Sequence, residues 1–206
     1  MRVLELLIAR LCHELSAPIA AIDNGAELLL EEEPGSATAP GMSFSRDAAE
    51  LIGESAQRAA SRLQFHRFAY GFGRGNMIAG PAPYELAAGI FDARRVVCDY
   101  SEDVRRLPLE WQKLACNLLS VGAEMLPHGG RVALRAGPLS LEAIGEAINL
   151  SPDTHMALTL TMPVGELTSR TVQAFFCGLL AKALGCRLIA TTQPGRARLA
   201  TLATGG

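Results

Sequence analysis

The sequence predicts an α+β protein: a long helical hairpin followed by an α/β sandwich. Helical periodicity without a strand pattern runs through roughly the first 70 residues, and the run Gly71-Phe72-Gly73-Arg74-Gly75 with Gly80-Pro81-Ala82-Pro83 then breaks the composition. Beyond that break, helical and alternating segments interleave. The boundary therefore separates a hairpin unit, 1–73, from a sandwich unit, 80–206.

Residues 2–32 read as one helix. Leu4, Ile8, Leu11, Leu15, Pro18, Ile19, Ile22, Ala26 and Leu29 fall within an arc of roughly 100° on a helical wheel, and His13 lies almost opposite. Ala17, Ala20 and Asn24 share the face of His13, small side chains over which a helix of another protein can come close. Pro18 should bend this helix, since it removes a backbone donor and crowds the preceding turn. Pro34-Gly35 and Pro40-Gly41 punctuate a polar connection over 33–43, and a second helix runs from about Ser45 to Tyr70. Its stripe, Ala48, Ile52, Ser55, Ala59, Leu63, His66 and Tyr70, is narrow. Two helices alone cover such seams poorly, so hairpins from two chains are expected to pair as a four-helix bundle, making a homodimer.

Past the boundary the pattern predicts a helix Tyr84–Arg95, a strand Val96–Asp99, a helix Leu109–Leu126 and strands at Arg131–Ala136 and Met156–Met162. A helix over about Ser169–Leu184 then leads to a β-hairpin, Arg187–Thr192 and Arg198–Ala203, turned by Gln193-Pro194-Gly195. Residues 137–154 read as an insertion without assigned structure. The expected sandwich has helices on one face of a largely antiparallel sheet.

Composition narrows the functional classes. With 206 residues, 49% of them hydrophobic, the chain can bury a sizeable core. Nineteen basic against 21 acidic residues leave no global positive field, so neither nucleic acid nor a membrane is expected as partner. No uncharged apolar run reaches the roughly 18–20 residues of a membrane span. Cys12, Cys98, Cys116, Cys177 and Cys186 are odd in number and never spaced Cys-x-x-Cys, which suits reduced thiols and a cytoplasmic location. No metal is assigned to them. His13-Glu14-x-x-Ala17 lacks the second histidine of a zinc-protease helix, and the glycines after Tyr70 follow a helix rather than a strand, so a hinge is expected there, not a nucleotide loop.

A hairpin carrying His13-Glu14-x-x-x-Pro18 ahead of this α/β order resembles the dimerisation and GHKL-like ATP-binding halves of sensor histidine kinases. The stretch Asn117-Leu118-Leu119-Ser120-Val121-Gly122-Ala123-Glu124 through Pro127-His128-Gly129-Gly130 runs without gaps beside the kinase pattern. In that register the kinase's metal-binding asparagine is Val121 and its lysine is Glu124, and neither serves a Mg²⁺-bound phosphate. The adenine-holding Asp-x-Gly-x-Gly is missing after Leu158-Thr159-Leu160, and bulky Thr171–Gly178 stands where the glycine-rich lid would be. A kinase-like body that keeps the histidine and has lost the nucleotide pocket resembles the ChpT-type histidine phosphotransferases of alphaproteobacterial phosphorelays. Cys12-His13-Glu14, Ala21–Leu29, Ser61–Phe65, Asn117 and Pro127–Gly130 carry that resemblance.

The resemblance implies that His13 takes a phosphoryl group from a receiver-domain aspartate and passes it to another, without ATP. The expected partners are response-regulator receiver domains and the receiver of a hybrid histidine kinase. Mg²⁺ is expected from the receiver, with no cofactor bound by this chain. Glu14 either fixes the imidazole tautomer and accepts a proton, or is an ordinary solvated carboxylate. Arg62 and Arg67 either meet an acidic receiver surface together with Ala17, Ala20 and Asn24, or simply solvate a helix. His66 reads as an interior or edge histidine, Asn117 as a packing or capping residue, His128 as a turn residue and His155 as the start of a strand. The rival readings are an autophosphorylating kinase fragment and a noncatalytic dimeric scaffold or kinase regulator.

Overall fold

The computed structural model describes residues 1–31, 41–71, 81–91 and 95–204. The expected connection over 33–43 lies mostly outside these residues; the glycine run with Arg74 and the boundary between the two units lie almost wholly outside them.

Helices α1 (Arg2–Glu31) and α2 (Gly41–Tyr70) form the hairpin, close to the expected bounds. They approach closely at Gly25, where a Cβ would meet Ile52 Cγ1 at 2.7 Å. Within the chain, α1 buries only Pro18 of its stripe, together with Leu7 and Gly25 beside it. Leu4, Ile8 and Ile19 stay 52–57% exposed, and Leu63 on α2 is likewise half exposed. Pro18 inside α1 cannot donate to the carbonyl of Glu14 one turn back. Arg62 Nη1 on α2 donates to that carbonyl instead, at 2.8 Å.

The second unit contains α3 (Pro83–Ile90), β1 (Val96–Tyr100), the short α4 (Glu102–Arg105), α5 (Leu109–Glu124), β2 (Gly130–Arg135), β3 (Ser140–Ile144), α6 (Pro152–Leu158), α7 (Val172–Ala183), β4 (Cys186–Gln193) and β5 (Arg196–Ala203). The sheet order is β1-β2-β3-β5-β4, with β1 parallel to β2 and the other pairs antiparallel. Helices α5 and α7 pack on the sheet, as expected, and α6 joins them. Between α5 and β2, Gly129 has φ +84°, and a Cβ there would strike the Arg95 carbonyl at 2.3 Å, so only glycine fits the turn.

Three expectations are corrected. The strand at Met156–Met162 is instead α6 and its exit turn, so His155 stands exposed on a helix and opens no strand. Ser151 caps α6 by accepting from the Thr154 amide at 3.1 Å, and Pro152 occupies its first turn, a start signal that overrides the alternating Met156, Leu158, Leu160 and Met162. The region 137–154 holds β3, whose Leu141 and Ala143 are fully buried. The helix expected to reach Arg95 ends at Ile90, at the edge of the described segment.

One hydrophobic core runs through both units. Leu6 and Leu7 of α1 and Phe65, Phe68 and Ala69 of α2 join the cluster formed by Leu114, Leu118, Val132, Leu141, Phe175 and Leu199. The hairpin is thus rooted in the α/β layer rather than tethered to it.

Candidate functional site

His13 stands on the outer face of α1, exposed, and among the described residues no hydrogen bond reaches its ring. Ala17, Ala20 and Asn24 are exposed along the same face. An imidazole so placed keeps a ring nitrogen lone pair for an incoming electrophile, and the small neighbours leave its approach open.

Glu14 faces elsewhere. Its Oε2 lies 2.7 Å from Nε2 of buried His66, and its Oε1 lies 3.0 Å from Arg10 Nε. Burial works to raise the Glu14 carboxyl, but the hydrogen bond and charge of His66, with Arg10 and Arg62, prevail and hold it below the usual carboxylate range. An ionised carboxylate only accepts, so His66 donates to it through Nε2, and Nδ1 is left buried without a partner. The carboxylate expected to orient His13 is therefore spent on α2. Arg62, expected on a docking surface, is half-buried and holds the Glu14 carbonyl, while Arg67 is exposed.

The remaining contacts fix the hairpin to the sandwich. Arg10 pairs with Glu124 of α5. Burial tends to lower the Arg10 guanidinium, but Glu124 and Glu14 outweigh it and raise it. Burial raises the Glu124 carboxyl more than Arg10 lowers it. The His66 ring lies 4.9 Å from that of Tyr70, whose hydroxyl donates to Gln173 Oε1 at 2.6 Å. Gln173 Nε2 donates to Asn117 Oδ1 at 2.7 Å, and Asn117 Nδ2 returns to the Ala69 carbonyl at 2.9 Å. Asn117, wholly buried, thus packs as expected, and His66 is interior. Sequence reading missed this chain because Gln173 and Tyr70 lie 103 positions apart. Between Arg10, Arg62, His66, Phe91 and Glu124 lies a cleft of about 400 Å³.

The positions that serve nucleotide in a kinase are filled differently here. Val121 lies in the core and Glu124 is bound to Arg10. On α7, a Cβ at Gly178 would meet the Leu158 carbonyl and Leu160 at 2.7 Å, so this segment is tightly packed helix where a lid would be.

Residues 84–195 match the model of the histidine phosphotransferase C-terminal domain. The chain is also 30% identical over 199 residues to the protein phosphotransferase ChpT of Brucella abortus (strain 2308), covering 89% of this chain and 87% of the relative. The chain belongs to the histidine phosphotransferase family. In this phosphotransferase, the overall arrangement is shared with a solved structure titled as a bacterial phosphotransferase at 26% identity and TM-score 0.75, covering 97% of this chain and 95% of the other. The histidine phosphotransferase carries a phosphotransfer role in a phosphorelay and is not an ATP-dependent kinase. Among its described residues no helix is long and apolar enough to cross a membrane.

Proposed function

We propose that His13 is the phosphoryl carrier, taking the group from an aspartyl phosphate on one receiver domain, such as that of a hybrid histidine kinase, and giving it to an aspartate on a response regulator. The observation that carries this reading is the exposed imidazole above Ala17, Ala20 and Asn24, without a partner among the described residues. A ring nitrogen lone pair forms the N–P bond in line with the breaking acyl O–P bond, the aspartate leaves as carboxylate, and the ring's remaining proton passes to solvent. Return transfer reverses these bonds on the second aspartate. Mg²⁺, held by the receiver, would neutralise charge on the moving group, and this chain contributes no ligand to it. Receiver docking uses the His13 face with Arg67, and Arg62 at its margin.

The half-exposed Leu4, Ile8 and Ile19 on α1 with Leu63 on α2 support a homodimer in which two hairpins cover each other's open flank. A cytoplasmic location follows from the receivers it would serve. Labelled phosphoreceiver with Mg²⁺ should label the wild type and not His13→Ala, His66→Ala should still take label, and labelled ATP alone should label none of the three. Labelling of His13→Ala by a phosphoreceiver would remove the assignment.

A further inference from the structure

The sheet has two unlike faces. Val132, Leu134, Leu141 and Leu199 point into the core, while the opposite face is left to solvent. The strand register gathers Arg131 and Arg135 on β2, Arg196 and Arg198 on β5 and Arg187 on β4 onto that open face, against the carboxylates Asp99 and Glu142. Asp99 is shared by Arg131 and Arg135 at 2.8 Å each, and Glu142 holds Arg196 at 3.0 Å. Arg187 and Arg198 are exposed, with no carboxylate partner among the described residues. Val97, Ile189 and Leu202 lie among them, 37–51% exposed.

A chain of net charge -2 thus concentrates positive charge on one face of its sheet. Adjacent strands lie about 4.8 Å apart, so the guanidiniums form a lattice of forks suited to carboxylates. The face has no aromatic side chain on which bases stack, which disfavours single-stranded nucleic acid. Its aliphatic side chains are at most about half exposed, and Ala133 and Ala200 between them are nearly buried, so nothing protrudes to enter a lipid surface.

We infer that the open sheet face is a docking surface for a protein partner presenting carboxylates around an aliphatic centre. The hairpin packs on α3, α5 and α7 and the sheet lies beyond that helix layer, so this face is turned away from His13. A partner there can be held while a receiver occupies α1.

The test uses the full chain and a fluorescent synthetic peptide alternating glutamate with valine, followed by anisotropy. Binding should occur, weaken with added salt, and fall about tenfold or more in the exposed double variant Arg187→Glu/Arg198→Glu. It should be unchanged in His13→Ala and absent for a glutamine–valine peptide. Circular dichroism melting checks that the double variant is folded, and Arg187→Gln/Arg198→Gln replaces it if it is not. The inference is overturned if the acidic peptide fails to bind, binds the double variant equally, or loses affinity in His13→Ala. Stronger binding of oligouridine or phosphatidylserine vesicles through the same arginines overturns it too.

Discussion

At Pro18 one residue's chemistry recruits another from a different helix. The missing amide orphans the Glu14 carbonyl, and Arg62 supplies the donor. Arg62→Ala should therefore cost about 1–3 kcal/mol in denaturant unfolding, the range for a polar group left unpaired, with Arg62→Lys recovering part of it. An unchanged midpoint would mean that water satisfies the carbonyl equally well. His13 was legible in the sequence because the helical period alone puts it opposite the apolar stripe. Glu14 was not, although Leu7, Leu11, Glu14, Pro18 and Gly25 share a seam spacing that places its side chain inward. Its partner His66 lies 52 positions away, beyond what local periodicity encodes.

Among elements, Arg10 of α1 pairs with Glu14 one turn along its own helix and with Glu124 of α5, two carboxylates of opposite behaviour. Glu14, held low, contributes stability in full above the ordinary carboxylate pKa of about 4.3, and that contribution is lost as pH falls through its lowered value. Glu124, held high, binds its proton more tightly when folded, so its effect on stability declines as pH rises through its raised value. In melting curves between about pH 3 and pH 7, Glu14→Gln should flatten the acid limb and Glu124→Gln the decline above it. Both variants shifting the same limb would refute this division. The misread α6 belongs to this scale as well. Alternating Met156, Leu158, Leu160 and Met162 mimic a strand, yet only Ala157, Leu158 and Met162 are buried, a choice made by packing against α7.

In the whole molecule, the helical hairpin, the one-sided sheet and the β4–β5 hairpin could be read from periodicity and turn residues. The β3 strand could not, since its short apolar run lies in a stretch otherwise rich in loop signals. The proposed dimer is testable at this scale. Ile19→Glu with Leu63→Glu, both at exposed positions, should sediment as a folded monomer while the wild type sediments as a dimer. A wild type that is monomeric at all concentrations would leave the open flank of α1 without this explanation.

The continuity of Leu6 and Leu7 with the apolar interior of the sandwich means that the helix carrying His13 is braced by the α/β layer beneath it. Loosening that layer anywhere, through a cavity at Leu118 or Leu199 for instance, would fray the post on which His13 is mounted.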